Sequence, residues 1–128
     1  MTGNWLVLER WMNWQWFRET SGSTTAEDEW SWMEAFADQS QAVDTLTQHW
    51  ERWITDEDVA LMAQSGFNHI RIPIGYWAFI EQHGDVPYAF QAGQVDQLTR
   101  VLRAAQQNGL YVLIDLHGQL LSLRPDHN

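Results

Sequence analysis

Two apolar runs in this sequence end in groups able to do chemistry. One closes on Arg71-Ile72-Pro73, the other on Asp115-Leu116-His117-Gly118. An Arg at such a place supplies fixed positive charge, which favours the ionised form of a nearby carboxylate. The plain alternative for Arg71 is a structural ion pair with Asp115. For His117 it is an imidazole that merely satisfies a backbone group. Other chemistries lack their residues. There is no Cys, which excludes thiolate zinc sites, disulfides and a Cys nucleophile. The five His show no i, i+4 pair and no His-Glu-x-x-His, so no metal site is expected. The eight Gly are scattered and form no phosphate loop, no Gly-x-Ser-x-Gly elbow is present, and no cofactor motif is found.

The elements that must position Arg71, Asp115 and His117 are legible from residue 54 onward. Thr55 with Asp58 three residues later forms a capping box, flanked by Ile54 and Val59 at staple spacing. Asp56, Glu57 and Asp58 place negative charge at the positive end of a helix dipole. This predicts a helix over Asp56–Ser65, with Val59, Met62 and Ala63 inward and Gly66 closing it. Phe67–Ile72 reads as a short strand stopped by Pro73, and a long loop is expected from Pro73 to Gly93. Gln94–Asn108 follows as a helix with Val95, Leu98, Leu102 and Ala105 on one stripe, ended by Gly109. Leu110–Leu116 is a near-continuous apolar run, as expected of a strand covered on both faces.

Helix, strand, loop, helix, strand is a βαβ pattern with a helix ahead of it, and it predicts α/β architecture with a parallel sheet. In such folds chemistry sits at the carboxyl ends of the strands. Strand alternation puts Phe67, His69 and Arg71 on one face, and Tyr111, Leu113, Asp115 and His117 on one face. Arg71, Asp115 and His117 are therefore expected on the same side of the sheet. Val112, Ile114 and Leu116 are expected to face helices.

The first fifty residues are less regular. Trp5, Trp11, Trp14, Trp16 and Phe17 crowd one stretch, and Thr20–Thr25 reads as an exposed loop. A short helix is expected over Ala26–Ala37, with Trp30, Met33 and Ala37 inward, and another over Gln41–Trp53. Packing is the expected role of Trp5, Trp50 and Trp53; Trp11 and Trp77 are left open between packing and stacking on a ligand.

With 17 Asp plus Glu against 7 Arg, the formal net charge is −10. That surface repels phosphate backbones and anionic lipid, so no nucleic-acid partner is expected. No stretch reaches the roughly 18 apolar residues of a membrane span, so no membrane insertion is expected. The first residues lack the pattern of a signal peptide, which leaves the localisation unread. A neutral oligosaccharide is not penalised by the charge.

Four stretches carry a resemblance to a known family. Asn4-Trp5-Leu6-Val7-Leu8-Glu9-Arg10-Trp11 is similar to a Gly-Gly-Trp-Leu-Val-Leu-Glu-Pro opening, and Asp28-Glu29 to an acidic pair in the loop that follows it. FNHIRIPIGYWAF, from Phe67 to Phe79, matches a second-strand signature, and IDLHG, from Ile114 to Gly118, a third-strand end. His49-Trp50 and Ile54-Thr55 also fall in place. The chain thus resembles the exo-β-1,3-glucanase branch of glycoside hydrolase family 5, the glucan 1,3-β-glucosidases. The resemblance implies a (β/α)8 barrel and retaining hydrolysis of β-1,3-glucan or another neutral oligosaccharide without a cofactor. It implies that Glu9 and His117 contact the sugar and that Arg71 supports the nucleophile; Asp115, one alternation deeper than His117, is expected from the strand pattern to pair with Arg71.

The departures matter as well. A full barrel typically needs about 250 residues, and this chain has 128. The family's first strand would precede Asn4, and its fourth and later strands are not represented. Its acid/base Glu lies in an Asn-Glu pair, and none occurs here. The stretch QLLSLRPDHN lacks the family's Ala-Pro-Gly-Ser-Gln pattern. Residues 1–128 are therefore expected to form one incomplete barrel piece, roughly from the loop after strand 1 through strand 3, with no catalytic residue of its own. The alternative is a non-catalytic remnant that binds carbohydrate or a partner protein.

Overall fold

The computed structural model describes residues 2–79 and 93–118. Most of the loop expected between Pro73 and Gly93, and the QLLSLRPDHN stretch, lie outside them. In order the elements are α1 (Trp14–Ser21), α2 (Glu29–Glu34), α3 (Gln39–Trp53), α4 (Asp56–Gln64), β1 (His69–Gly75), α5 (Gln94–Gln107) and β2 (Tyr111–His117). Single 3-10 turns occur at Arg10–Met12 and Tyr76–Ala78.

The helices start where their caps dictate. Thr55 and Asp58 form the expected capping box on α4, and Ile54 and Val59 are both buried. A second box, Asp28 with Ser31, starts α2 and confines it to Glu29–Glu34, much shorter than the Ala26–Ala37 helix read from the sequence. Its buried side carries Glu29, Trp32 and Met33; of the three residues expected inward, Met33 is buried, Trp30 packs partly against the core and Ala37 is exposed. In α5 the buried stripe is likewise shifted. Gln94, Leu98, Val101, Ala104 and Ala105 point inward, whereas Val95 is exposed and Leu102 only partly covered. Arg100 ties α5 to the α3–α4 turn, donating to Ile54 O at 2.6 Å and pairing with Asp56 at 2.8 Å.

β1 and β2 pair in parallel, His69 opposite Tyr111 through Gly75 opposite His117. Pro73 does not stop β1, contrary to the sequence reading. The reason lies in which backbone groups face the partner. Asn68 O accepts from Tyr111 N–H, and Arg71 O accepts from the Thr2 hydroxyl at 2.7 Å. Even-numbered residues of β1 therefore turn their backbone groups to β2, and odd-numbered ones turn them to the opposite edge. The missing N–H of Pro73 falls on that opposite edge, where it costs no ladder bond.

Ile70, Ile72 and Ile74 of β1 are buried in a core shared with Trp5, Leu46, Trp50, Val59, Leu98 and Val101. β2 is different. Val112 packs on the core, but Tyr111, Leu113, Ile114 and Leu116 are exposed. The expectation of a strand covered on both faces fails here: among the described residues no element lies over Ile114 and Leu116. An exposed, apolar strand edge is a template for self-pairing. The chain is expected to self-associate with rising concentration, and Leu116→Lys to reduce this markedly. Light scattering across a dilution series checks it, and equal scattering from both proteins would contradict it.

Candidate functional site

Alternation on the parallel pair brings the expected cluster together. The Arg71 guanidinium pairs with the Asp115 carboxylate, and His117 Nε2 lies 2.8 Å from the same oxygen, Oδ2. All three side chains remain partly solvated. The hydrogen bond from His117 is the largest influence on Asp115. Desolvation opposes it, but the positive charges of His117 and Arg71 add to it, and the carboxyl sits below its ordinary value of 3.8. Asp115 is thus an ionised acceptor at neutral pH. Since Asp115 accepts at Nε2–H, Nδ1 is the ring nitrogen left for a ligand hydroxyl.

Glu9 stands apart. Among the described residues no hydrogen bond or ion pair joins it to Arg71, Asp115 or His117. The Thr2 hydroxyl, bonded to Arg71 O, anchors the segment leading to Glu9 on the free edge of β1. The Glu9 carboxylate accepts the Asn4 N–H through Oε2 at 2.9 Å, while Asn4 Oδ1 accepts the Glu9 N–H at 2.8 Å. Asn4 has φ +57°, the left-handed region that Asn tolerates better than most residues. It sits where the resembled motif carries Gly. Gly3 is pinned by space instead: a Cβ there would lie 2.8 Å from Glu9 Oε2 and 2.7 Å from Met12 Sδ. Glu9 lines a surface cavity of about 680 Å³ together with Trp11, Trp14 and Asp28.

The Trp residues divide. Trp5 and Trp50 are fully buried, and Trp53 is half-buried, donating to Gly3 O at 2.9 Å. Trp77 is buried too, and a Cβ on Gly75 would overlap its ring, so glycine at the end of β1 makes room for it. Trp11 is 72% exposed and remains open to a ligand.

Two buried polar groups were not singled out as site residues by the sequence. Glu29 accepts the Leu8 N–H at 3.1 Å and so holds the irregular stretch before Glu9. His49 Nε2 donates to Asn4 O at 2.5 Å, and its ring lies between Trp16 and Trp53. Burial lowers the His49 pKa from 6.5, against the raising effect of the Asn4 bond. Both partners are distant in sequence, 21 residues for Leu8 with Glu29 and 45 for Asn4 with His49. The one signal was the placing of Asp28-Glu29 and His49-Trp50 within the resemblance.

Comparison with known proteins follows the same line. A family model described as cellulase (glycosyl hydrolase family 5) matches residues 33–127. The glucan 1,3-beta-glucosidase of Blumeria graminis is 41% identical over 116 residues, covering 91% of this chain and 26% of the relative. The probable glucan 1,3-beta-glucosidase A of Aspergillus fumigatus is 44% identical over 116 residues, with the same coverage of 91% and 26%. The crystal structure of rutinosidase from Aspergillus niger superposes with a TM-score of 0.76 at 27% identity, over 88% of this chain and 30% of that one. The chain thus spans about a quarter of the length of the curated relatives it matches.

Proposed function

The chain belongs to glycosyl hydrolase family 5, and from that membership we propose that it supplies the sugar-contacting edge of a site for retaining hydrolysis of β-1,3-glucan. In this reading the fold is the part of a (β/α)8 barrel from the loop after strand 1 through strand 3. Glu9 and His117 take sugar hydroxyls. Arg71 and Asp115 fix the charge and orientation around His117. The observation that carries the reading is the convergence of Arg71 and His117 on one oxygen of Asp115, on the face of the sheet away from the buried isoleucines.

The chemistry of the cluster supports binding more than bond cleavage. A retaining glycosidase needs two carboxyl groups about 5–5.5 Å apart, one protonated to serve the leaving oxygen. Asp115 is held ionised by His117 and Arg71, which makes it a poor proton donor. Glu9 is engaged through Oε2 with a backbone N–H, an arrangement suited to orienting a carboxylate acceptor toward vicinal hydroxyls. In the family this chain resembles, the two carboxyl groups that cleave the bond lie beyond the segments matched here, and in this reading they are placed there.

Titration calorimetry with laminaribiose tests the binding role. The chain is expected to bind the disaccharide, and Glu9→Ala and His117→Ala are each expected to weaken binding at least tenfold, about 1.4 kcal/mol. A remote control, Arg103→Ala, is expected to bind like the parent. Absence of binding by the parent chain, or equal affinity in all four proteins, would sink the reading.

A further inference from the structure

We propose that His49 is a positioning residue for Glu9, acting through the backbone of Asn4. The inference rests on the reading above only in that Glu9 is taken to meet the sugar; the positioning itself stands on geometry. Glu9 lies on an irregular segment, where no helix or strand ladder fixes its side chain. What fixes it is Asn4, whose N–H and side chain make reciprocal bonds with the Glu9 carboxylate and N–H. Asn4 in turn needs a left-handed backbone, which a non-glycine residue keeps only where its surroundings hold it.

Helix α3 provides that hold. His49 Nε2–H donates to Asn4 O, Trp53 Nε1–H donates to Gly3 O, and Trp5 Nε1–H donates back to Trp50 O at 2.8 Å. Residues 49, 50 and 53 share one helical face, so three hydrogen bonds seat residues 3–5 against one rigid element. The His49 bond is the one that lands on Asn4 itself. Its ring is 7% exposed and flanked by Trp16 and Trp53 at 4.6 and 5.2 Å, which leaves it little freedom to swing away. The chain of consequence is short. Trp53 holds the Gly3 carbonyl, whose peptide plane carries the Asn4 N–H, and the imidazole holds the Asn4 carbonyl in the next plane. With the planes on both sides of its Cα held, Asn4 stays left-handed, its N–H meets Glu9 Oε2, and Oε1 is left for a ligand. No other polar contact on the Glu9 carboxylate exists among the described residues.

The test uses the full chain, selectively labelled with ¹⁵N-asparagine and kept dilute enough to avoid self-association. The Asn4 amide resonance is expected to shift as Glu9 ionises, and Glu9→Gln to abolish that shift. His49→Phe keeps an aromatic ring between the tryptophans but has no N–H. It is expected to remove the Glu9-linked shift and to weaken laminaribiose binding at least tenfold. His49→Gln restores a donor and is expected to recover both. Should the Phe variant not fold, His49→Asn, whose amide is one carbon too short to replace the imidazole, serves instead and is expected to behave as the Phe variant. An Asn4 amide blind to Glu9 in the parent chain overturns the proposal. So does a folded donor-less variant that keeps the shift. If the parent chain binds no laminaribiose but shows the coupled shift, the sugar-binding reading fails while the positioning of Glu9 by His49 is still decided by the amide.

Discussion

Purified chain incubated with laminarin is expected to release no glucose above background. Cleavage requires one group to protonate the leaving oxygen and another to attack the anomeric carbon. The side chains that the two strands gather are a cation, an imidazole and a carboxylate already paired with both. The pairing lowers the Asp115 pKa, and a carboxyl group with a lowered pKa is deprotonated well below neutral pH, where it has no proton to give. General acid–base assistance is worth roughly 10²–10⁴-fold in rate, and a positioned nucleophile adds further to that. Contacts to sugar hydroxyls alone leave the reaction near its uncatalysed rate. The comparison is with the double variant Glu9→Ala, His117→Ala. Glucose release by the parent chain above that variant would show that a catalytic pair resides among these residues and that Asp115 or Glu9 has been given the wrong role.

The same result bears on how much of this site the sequence discloses. The convergence of Arg71, Asp115 and His117 follows from alternation alone, because a strand has a period of two and an apolar face needs a core. The capping box at Thr55–Asp58 is equally local, and it appears where the spacing puts it. Long-range geometry is where the sequence falls silent. Pro73 looks like a stop because its missing N–H costs a ladder bond on one edge of a strand and none on the other; which edge it faces depends on β2, where its register partner is Asp115. The apolar run of β2 says what kind of cover the strand accepts, and Leu113 and Leu116 at 62% exposure show that the described elements do not provide it. The shift of the α5 stripe from Val95 to Gln94 is a rotation of one residue, and an apolar Val95 beside a polar Gln94 makes the sequence favour the wrong one. His49 and Asn4 meet across 45 residues through a left-handed backbone turn. No spacing rule reaches that far. Glu9 was legible only because its neighbours resemble a motif, and its partner in that arrangement, Asn4, is the residue at which the chain departs from the motif.

Replacing Trp5 with Ala is expected to cost several kcal/mol of stability, as large an effect as a buried side chain in this core gives. Trp5 is fully buried at the centre of the contacts between residues 2–8 and α3, and its indole N–H donates to Trp50 O at 2.8 Å. Deleting the ring costs about 3–5 kcal/mol through lost transfer energy and the cavity left behind. The Trp50 carbonyl also loses a donor, although Arg100 Nη2 approaches it at 3.4 Å from α5 and offers partial cover. A domain of this size has roughly 5–15 kcal/mol in total, so the variant gives up a large share of its stability. Trp5→Phe separates the two contributions, since it refills most of the volume and removes only the N–H; a loss of about 1–3 kcal/mol is expected from it. Urea titration followed by far-ultraviolet circular dichroism measures both, with an unchanged slope showing that the unfolded state is the same reference. If Trp5→Ala shifts the midpoint no more than Trp5→Phe, the ring does not fill the core as described, and residues 2–8 are not part of the cooperative unit that carries Glu9.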